Sequence, residues 1–274
     1  MQHIEVEAGV RLAVRVSGAA DKPPIVFSNS LAADLGMYDE VAERLAADAR
    51  IVRYDTRGHG QSDAPESGYS IERLGRDIIA VLDALKIERA VVCGTSLGGL
   101  TAMWLGVHAA DRVSGLIPAN TAANFPPETM WRDRAATVRA SGVDSLVQGS
   151  LERWVTAGYR TTHPACVEQL ARMIKTTAPA GYAGCCDVLA EADLLPELGK
   201  IKCPVRVIAG RHDPSTPPAR AAEIVSAIKG AEVVTLEAAH ISAVEAPDAF
   251  AAAVRGFLSS IEKANNTEKQ GGIK

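Results

Sequence analysis

The stretch Gly94-Thr95-Ser96-Leu97-Gly98-Gly99 carries the spacing G-x-S-x-G. A short apolar run at 90–93 precedes it and helical periodicity at 98–108 follows it. A serine at a sharp strand-to-helix turn presents its hydroxyl at the carboxyl edge of a sheet, and the flanking glycines leave room for the turn and the approaching helix. The helix N-terminus beside it favours negative charge on a substrate oxygen. Such a serine becomes a nucleophile when a base takes its proton. Of six histidines, His3 and His108 fall in regular structure away from strand ends and His163 lies in a segment without strands. That leaves His59, His212 and His240. His240 follows a strand at 232–236 by a few residues, at the same sheet edge as Ser96, whereas His59 belongs to a glycine-containing loop and His212 abuts an aspartate. A carboxylate must then hold the imidazole tautomer and stabilise the imidazolium as it forms. Asp213 follows a strand at 205–209 by four residues, in Gly210-Arg211-His212-Asp213-Pro214. The other reading of Asp213 is a turn cap before proline, which would move the carboxylate to the loop after 113–117.

The elements that must position these residues alternate. Residues 3–7 and 11–17 flank Ala8-Gly9-Val10 and read as a hairpin. Buried strands follow at 25–27, 51–54, 90–94 and 113–117, with helices at 37–47 and 98–108. Ser70 is the expected N-cap of a further helix, whose apolar stripe is Ile71, Leu74, Ile78, Val81, Leu82 and Leu85. Strands alternating with helices imply an α/β architecture, a mostly parallel sheet covered on both faces. Between 120 and 191 no β-branched run occurs, and helical periodicity recurs at 128–140, 143–156 and 167–176. The alternation resumes at 205–209, 218–228, 232–236 and 247–258. The expected organisation is a core of 1–121 and 192–263, a helical insertion of 122–191, and a polar tail of 264–274 without periodicity.

Composition narrows the function classes. The 274 residues are 47% hydrophobic and 23% charged, which is the balance of a globular chain. With 29 Lys plus Arg against 33 Asp plus Glu and only 4% aromatics, neither a phosphate-tracking field nor a base-stacking platform is indicated, so no nucleic-acid partner is expected. No apolar stretch reaches membrane-spanning length, and the first nine residues lack the pattern of a signal peptide. Five cysteines, Cys93, Cys166, Cys185, Cys186 and Cys203, lack metal-ligand spacing and suit a reducing compartment. A cytoplasmic protein without metal or cofactor is expected. Nothing in the pattern assigns an oligomeric state.

The order serine, aspartate, histidine resembles the α/β-hydrolase superfamily, and the likeness runs from the hairpin to the final helix. Tyr54-Asp55-Thr56-Arg57-Gly58-His59-Gly60-Gln61-Ser62 and Ala239-His240 followed by Glu245 and Pro247 are further signatures of it. The resemblance implies a mostly parallel sheet of about eight strands with a helical cap. It also implies an oxyanion hole from the backbone N–H groups of Leu31 and Leu97, although Asn29-Ser30-Leu31 stands where many members have His-Gly. Within the superfamily the chain is similar to the 3-oxoadipate enol-lactonase family. The phrases that carry this are Ser28-Asn29-Ser30-Leu31-Ala32-Ala33-Asp34, Asn120-Thr121-Ala122-Ala123, Gly181-Tyr182-Ala183-Gly184-Cys185-Cys186 and Ala238-Ala239-His240-Ile241-Ser242, with Trp131 and Arg134. Such enzymes act in aromatic-compound catabolism, the β-ketoadipate pathway, and open a carboxylate-bearing enol-lactone without a cofactor. A carboxylesterase, a C–C hydrolase of ring-cleavage products, and a non-catalytic ligand-binding receptor use the same fold. Dehalogenases and epoxide hydrolases place an aspartate where Ser96 stands.

Specificity must then reside in the insertion, because the serine, acid and histidine serve many chemistries. A substrate carboxylate calls for a cation, and the insertion offers Arg132, Arg134, Arg139, Arg153, Arg160 and Arg172. Arg134 is preferred because Trp131, three residues earlier, shares its helix face. Trp154 completes the expected substrate-facing set, and Arg160 is the next cation in line.

Overall fold

The computed structural model describes residues 1–271, with side chains to 263. The chain opens with β1 (Gln2–Glu7) and β2 (Val10–Gly18), a hairpin in which Ile4 pairs with Leu12. There follow β3 (Pro24–Ser28), α1 (Asp39–Arg44), β4 (Arg50–Tyr54), α2 (Ile71–Ala84), β5 (Ala90–Thr95), α3 (Leu97–His108) and β6 (Val113–Ala119). An all-helical segment comes next: α4 (Glu128–Ser141), α5 (Val147–Trp154), α6 (Ala157–Thr162), α7 (Pro164–Thr176) and α8 (Pro179–Glu191). The chain then returns to the sheet with β7 (Arg206–Gly210), α9 (Pro218–Ala227), β8 (Glu232–Leu236), α10 (Ser242–Glu245) and α11 (Pro247–Gly271).

The strands form one sheet in the order β1-β2-β4-β3-β5-β6-β7-β8. Only the pairs made by β2 are antiparallel; from β4 to β8 every neighbour is parallel. The central strands are buried almost throughout, β5 at every residue, because helices cover both faces. Ser70 caps α2 by accepting from the Arg73 N–H, and Leu74, Ile78, Val81 and Leu82 form its buried stripe. The helical segment leaves and rejoins the core side by side: Asn124 and Asp193 form an isolated antiparallel bridge, and the Asn124 amide donates to Asp193 at 2.9 Å.

Four local expectations change. The helix expected at 37–47 is a 3-10 turn at Leu35–Tyr38, capped by Asp34, followed by the short α1. The helix expected at 143–156 breaks after Trp154, because the Thr156 side chain caps the next helix by accepting from Tyr159 N–H. Helix α8 has no amphipathic stripe to betray it: both of its faces are buried among Gly181, Gly184, Cys185 and Cys186. A Cβ on Gly181 would lie 2.3 Å from the Gly58 Cα, so that helix touches the loop after β4 backbone to backbone. Finally, helical backbone continues to Gly271, where the sequence suggested a tail from 264, since elongating an existing helix needs no apolar face. The side chains of 264–271 and the whole of 272–274 lie outside the described residues.

The loop after β4 is anchored by a buried ion pair. Arg57 Nε and Nη2 donate to the two Asp77 oxygens at 2.6 and 2.7 Å, and Nη1 donates to Glu7 at 3.0 Å. The side chains of Arg57 and Asp77 are 0% and 2% exposed. Burial pulls the Asp77 carboxyl above its ordinary range against the favourable charge of Arg57. Removing Arg57 leaves the buried Asp77 carboxylate with only the more exposed Arg73, whose Nε lies 3.1 Å from Oδ1, and an under-compensated buried charge is costly. Arg57→Met is therefore expected to destabilise the fold by about 3–5 kcal/mol in urea unfolding. Breaking the exposed Arg76–Glu72 pair with Arg76→Met should cost no more than about 1 kcal/mol.

Candidate active site

Ser96 is the single residue between β5 and α3, with φ +56° and ψ −116°. Positive φ at a non-glycine residue costs on the order of 1–3 kcal/mol and persists only where the surroundings impose it. They do so from both sides: Ser96 N–H donates to Ala119 O at 3.0 Å, and Thr121 Oγ1 donates to Ser96 O at 2.6 Å. The glycines of G-x-S-x-G are there because backbone packs on backbone. A Cβ on Gly98 would sit 2.2 Å from Ser28 O, and one on Gly94 would sit 2.1 Å from Gly98 O. This contact seats the start of α3 against the end of β3. It brings Leu97 N–H, the first amide of its helix and thus without an intrahelical acceptor, into the neighbourhood of the 28–31 loop. Leu31 itself lines the cavity in front of Ser96.

Asp213 and His240 come from the loops after β7 and β8. His240 Nδ1 lies 2.9 Å from Asp213 Oδ2, and both side chains are buried. Asp213 Oδ1 accepts from the Ser215 and Thr216 N–H groups at 2.8 and 2.9 Å. Its Oδ2 also accepts from Thr216 Oγ1 at 2.7 Å and from Asn120 Nδ2 at 3.1 Å. Burial alone would raise the Asp213 carboxyl, but the imidazole charge, the imidazole hydrogen bond and the Thr216 donors outweigh it, so the carboxyl stays below its ordinary value. An ionised Asp213 keeps the proton on His240 Nδ1 and leaves Nε2 free to accept another. Asn120, at the end of β6 with φ +44°, also donates to Ala239 O at 3.0 Å and accepts from Ser242 Oγ at 2.5 Å. A carboxylate on the loop after β6 is thus not needed to complete this arrangement; an amide occupies that place.

One cavity collects most of the expected side chains: Ser96, His240, Leu31, Trp131, Arg134 and Trp154. Asp213, bonded to His240, and Leu97, next to Ser96 in the chain, do not line it. Trp131 Nε1 donates to Phe125 O at 2.7 Å, and the Arg134 guanidinium stands 4.8 Å from the centre of the Trp131 ring. Arg153 and Tyr182 also line the cavity, and sequence reasoning had not separated them from their neighbours. Arg160 does not reach it: Nη1 donates to Glu152 O at 3.2 Å and Val155 O at 2.6 Å, closing off the carbonyl end of α5. The second place given to Arg160 is corrected on that ground; a guanidinium one turn past a helix end finds the free carbonyls first. Arg132, Arg139 and Arg172 form surface pairs with Glu128, Asp187 and Glu168. Of the rival histidines, His59 is buried beside Arg57 O and burial pushes it down to about 4, while His212 is exposed against Glu237.

Glu245 ties the His240 loop to the insertion. Its Oε2 accepts from Ala239 N–H at 2.7 Å, and its Oε1 accepts from Thr156 N–H at 3.1 Å and from the Thr156 hydroxyl. Ile241 N–H donates to Trp154 O at 2.8 Å and His240 N–H to Arg153 O at 3.4 Å. The end of α5 is therefore held against the loop that carries the imidazole.

A family model described as the alpha/beta hydrolase fold matches residues 23–247. The chain belongs to the α/β-hydrolase family. Within that family it is 42% identical to 3-oxoadipate enol-lactonase 2 of Acinetobacter baylyi, over 88% of this chain and 90% of the relative. It is 38% identical to 3-oxoadipate enol-lactonase 1 of the same organism, over 93% and 95%. The solved enol-lactonase of Burkholderia xenovorans LB400 superposes with a TM-score of 0.91 at 40% identity, covering 93% of this chain and 99% of its own. The eight-stranded, mostly parallel sheet with its helical segment is the architecture of the family.

The contact between Gly98 and Ser28 yields a prediction. Gly98→Ala forces α3 off the end of β3 and should cost at least about 1–3 kcal/mol, read as a lowered midpoint in thermal or urea unfolding. An unchanged midpoint would mean that the 28–31 loop yields freely.

Proposed function

We propose that this chain opens a carboxylate-bearing enol-lactone, 3-oxoadipate enol-lactone to 3-oxoadipate, in the β-ketoadipate branch of aromatic-compound catabolism. The observation that carries the reading is a cavity in which Ser96 and the Asp213-oriented His240 face arginines of the insertion, in a chain 42% identical to an enol-lactonase. Ser96 Oγ attacks the lactone carbonyl as His240 Nε2 takes its proton. The tetrahedral oxyanion is received by Leu31 and Leu97 N–H. Collapse breaks the ring C–O bond, and the enol oxygen leaves, protonated by the imidazolium, while still part of the acyl chain. Water then attacks the ester as His240 again takes a proton. Loss of Ser96 Oγ frees the carboxylic acid, which ionises, and the enol relaxes to the ketone. Arg134, stacked on Trp131, binds the carboxylate arm, and Trp154 walls the cavity.

The insertion, 122–191, would act as the cap that selects substrate over a core of 1–121 and 192–263. The bridge between its entry and exit segments at Asn124 and Asp193 supports that division. No helix among the described residues is long and apolar enough to cross a membrane. The five cysteines are free thiols, which fits a reducing compartment and the cytoplasm as the proposed location.

The reading is tested by comparing kcat/KM on the enol-lactone with kcat/KM on simple aryl esters; a preference for aryl esters would move the chain to the carboxylesterases. Ser96→Ala and His240→Ala should each lower kcat by roughly 10⁴- to 10⁶-fold, and the double variant should lose little more, since the two act as a unit. Multiplying losses would contradict the mechanism.

A pH profile checks the base. Asp213 is held below the ordinary carboxylate range, so it stays ionised near neutrality and goes on orienting His240, whose imidazole accepts a proton only when neutral. Activity should fall on the acid side; a profile flat to pH 4 would remove His240 as base. EDTA should leave the rate unchanged, and loss restored by a divalent ion would replace this mechanism with a metal-dependent one.

A further inference from the structure

The insertion carries six arginines between 132 and 172, and the structure divides them by partner. Arg132, Arg139 and Arg172 sit within ion-pair distance of carboxylates on the surface, and Arg160 is spent on the carbonyls that end α5. Among the described residues, Arg134 and Arg153 have no carboxylate within 4 Å, and both face the cavity that holds Ser96 and His240. Among the described residues no Asp or Glu lines that cavity. Arg153 is partly buried; among the described residues its one side-chain hydrogen bond is to Ser150 Oγ, at 3.4 Å. Burial lowers its basicity first and the charge of Arg134 lowers it further, against the smaller opposing effects of Tyr182 and Glu152. Two like charges that face one partly dry cavity with no carboxylate on its lining are a cost to the free protein, and an anion entering the cavity reduces it.

We propose that Arg153 is a second specificity-determining residue: with Arg134 it forms a two-guanidinium site for the carboxylate arm of the substrate. This rests on the lactone-hydrolase reading for the identity of the substrate, but the anion site itself does not. Arg153 is also placed to register its occupant at the reacting centre. Its own carbonyl accepts the His240 N–H at 3.4 Å, so the residue that holds the carboxylate is joined through one peptide to the backbone that carries the imidazole. Two cations also match the charge of the product. Opening the monoanionic lactone creates a second carboxylate, and the dianion should bind the free enzyme more tightly than a monoanion of the same length.

The test uses Arg153→Met, Arg153→Lys and Arg134→Met with two substrates and one inhibitor. The substrates are the enol-lactone and a neutral aryl ester; the inhibitor is adipate, a six-carbon dicarboxylate, competing against aryl-ester hydrolysis. Arg153→Met should lose about 10- to 150-fold more kcat/KM on the lactone than on the neutral ester, the worth of one charged hydrogen bond. Its adipate inhibition constant should rise by a similar factor. Arg153→Lys should fall between, retaining the charge and losing the planar fork. Equal losses on both substrates would make Arg153 structural, and an unchanged adipate constant would remove it from the site; either result overturns the proposal, with the melting curve reporting that the variant is folded. If the wild type fails to open the lactone while adipate inhibition still depends on Arg153, the lactonase reading falls and the arginine site stands. If wild type and Arg153→Met open the lactone alike, the reading stands and the proposal falls.

Discussion

Five hydrogen bonds converge on the buried carboxylate of Asp213, and they come from separate parts of the chain: the Thr216 and Ser215 turn after β7, Asn120 at the end of β6, and His240 beyond β8. A buried carboxylate is costly unless its lone pairs are filled, so each donor is held where it is by the cost of leaving the charge unmet. Filling them fixes the mutual position of three strand ends. It also fixes the imidazole, because the oxygen that takes Asn120 and Thr216 also takes His240 Nδ1. The placing of His240 opposite Ser96 depends on this one charge being satisfied from several directions.

Ser96 depends on a different constraint, a backbone conformation that the residue would not choose. The turn is held by Ala119 O on one side and Thr121 Oγ1 on the other, both from the end of the neighbouring strand β6. Asn120 lies between them in sequence and serves Asp213. Three consecutive residues, Ala119, Asn120 and Thr121, therefore secure the serine and the acid at once. Parallel pairing of β5 with β6 in register makes this geometrically possible, and the buried apolar runs of both strands keep that register.

The insertion is coupled to the same centre by backbone and by charge. The carboxylate of Glu245 joins Ala239 to Thr156, and the carbonyls of Arg153 and Trp154 receive the amides of His240 and Ile241. The element that supplies cavity-facing arginines is thus the element against which the imidazole loop is seated. A solvated guanidinium contributes little beyond a few tenths of a kcal/mol when paired at the surface. Arg134 and Arg153 differ in kind, since they are partly withdrawn from water and face space instead of carboxylates.

What the sequence determined is what adjacent residues can specify. Continuous apolar runs marked the central strands, Ser70 marked the start of α2 through its own hydroxyl, and G-x-S-x-G between a strand and a helix located the strained turn at Ser96. Chain order named Asp213 and His240 because each follows a strand that must end at the same sheet edge. The tertiary structure decided whatever depends on partners far apart in the chain. Asn120 meets Asp213 across 93 residues and Ser242 across 122, and nothing near Asn120 in sequence announces either. Six arginines in one helical segment are alike on paper; only packing assigns Arg160 to the end of α5, Arg132 to Glu128, and Arg134 and Arg153 to the cavity. Helix α8 went unread because a helix buried on all sides has no polar face, and its periodicity is erased by the burial that stabilises it.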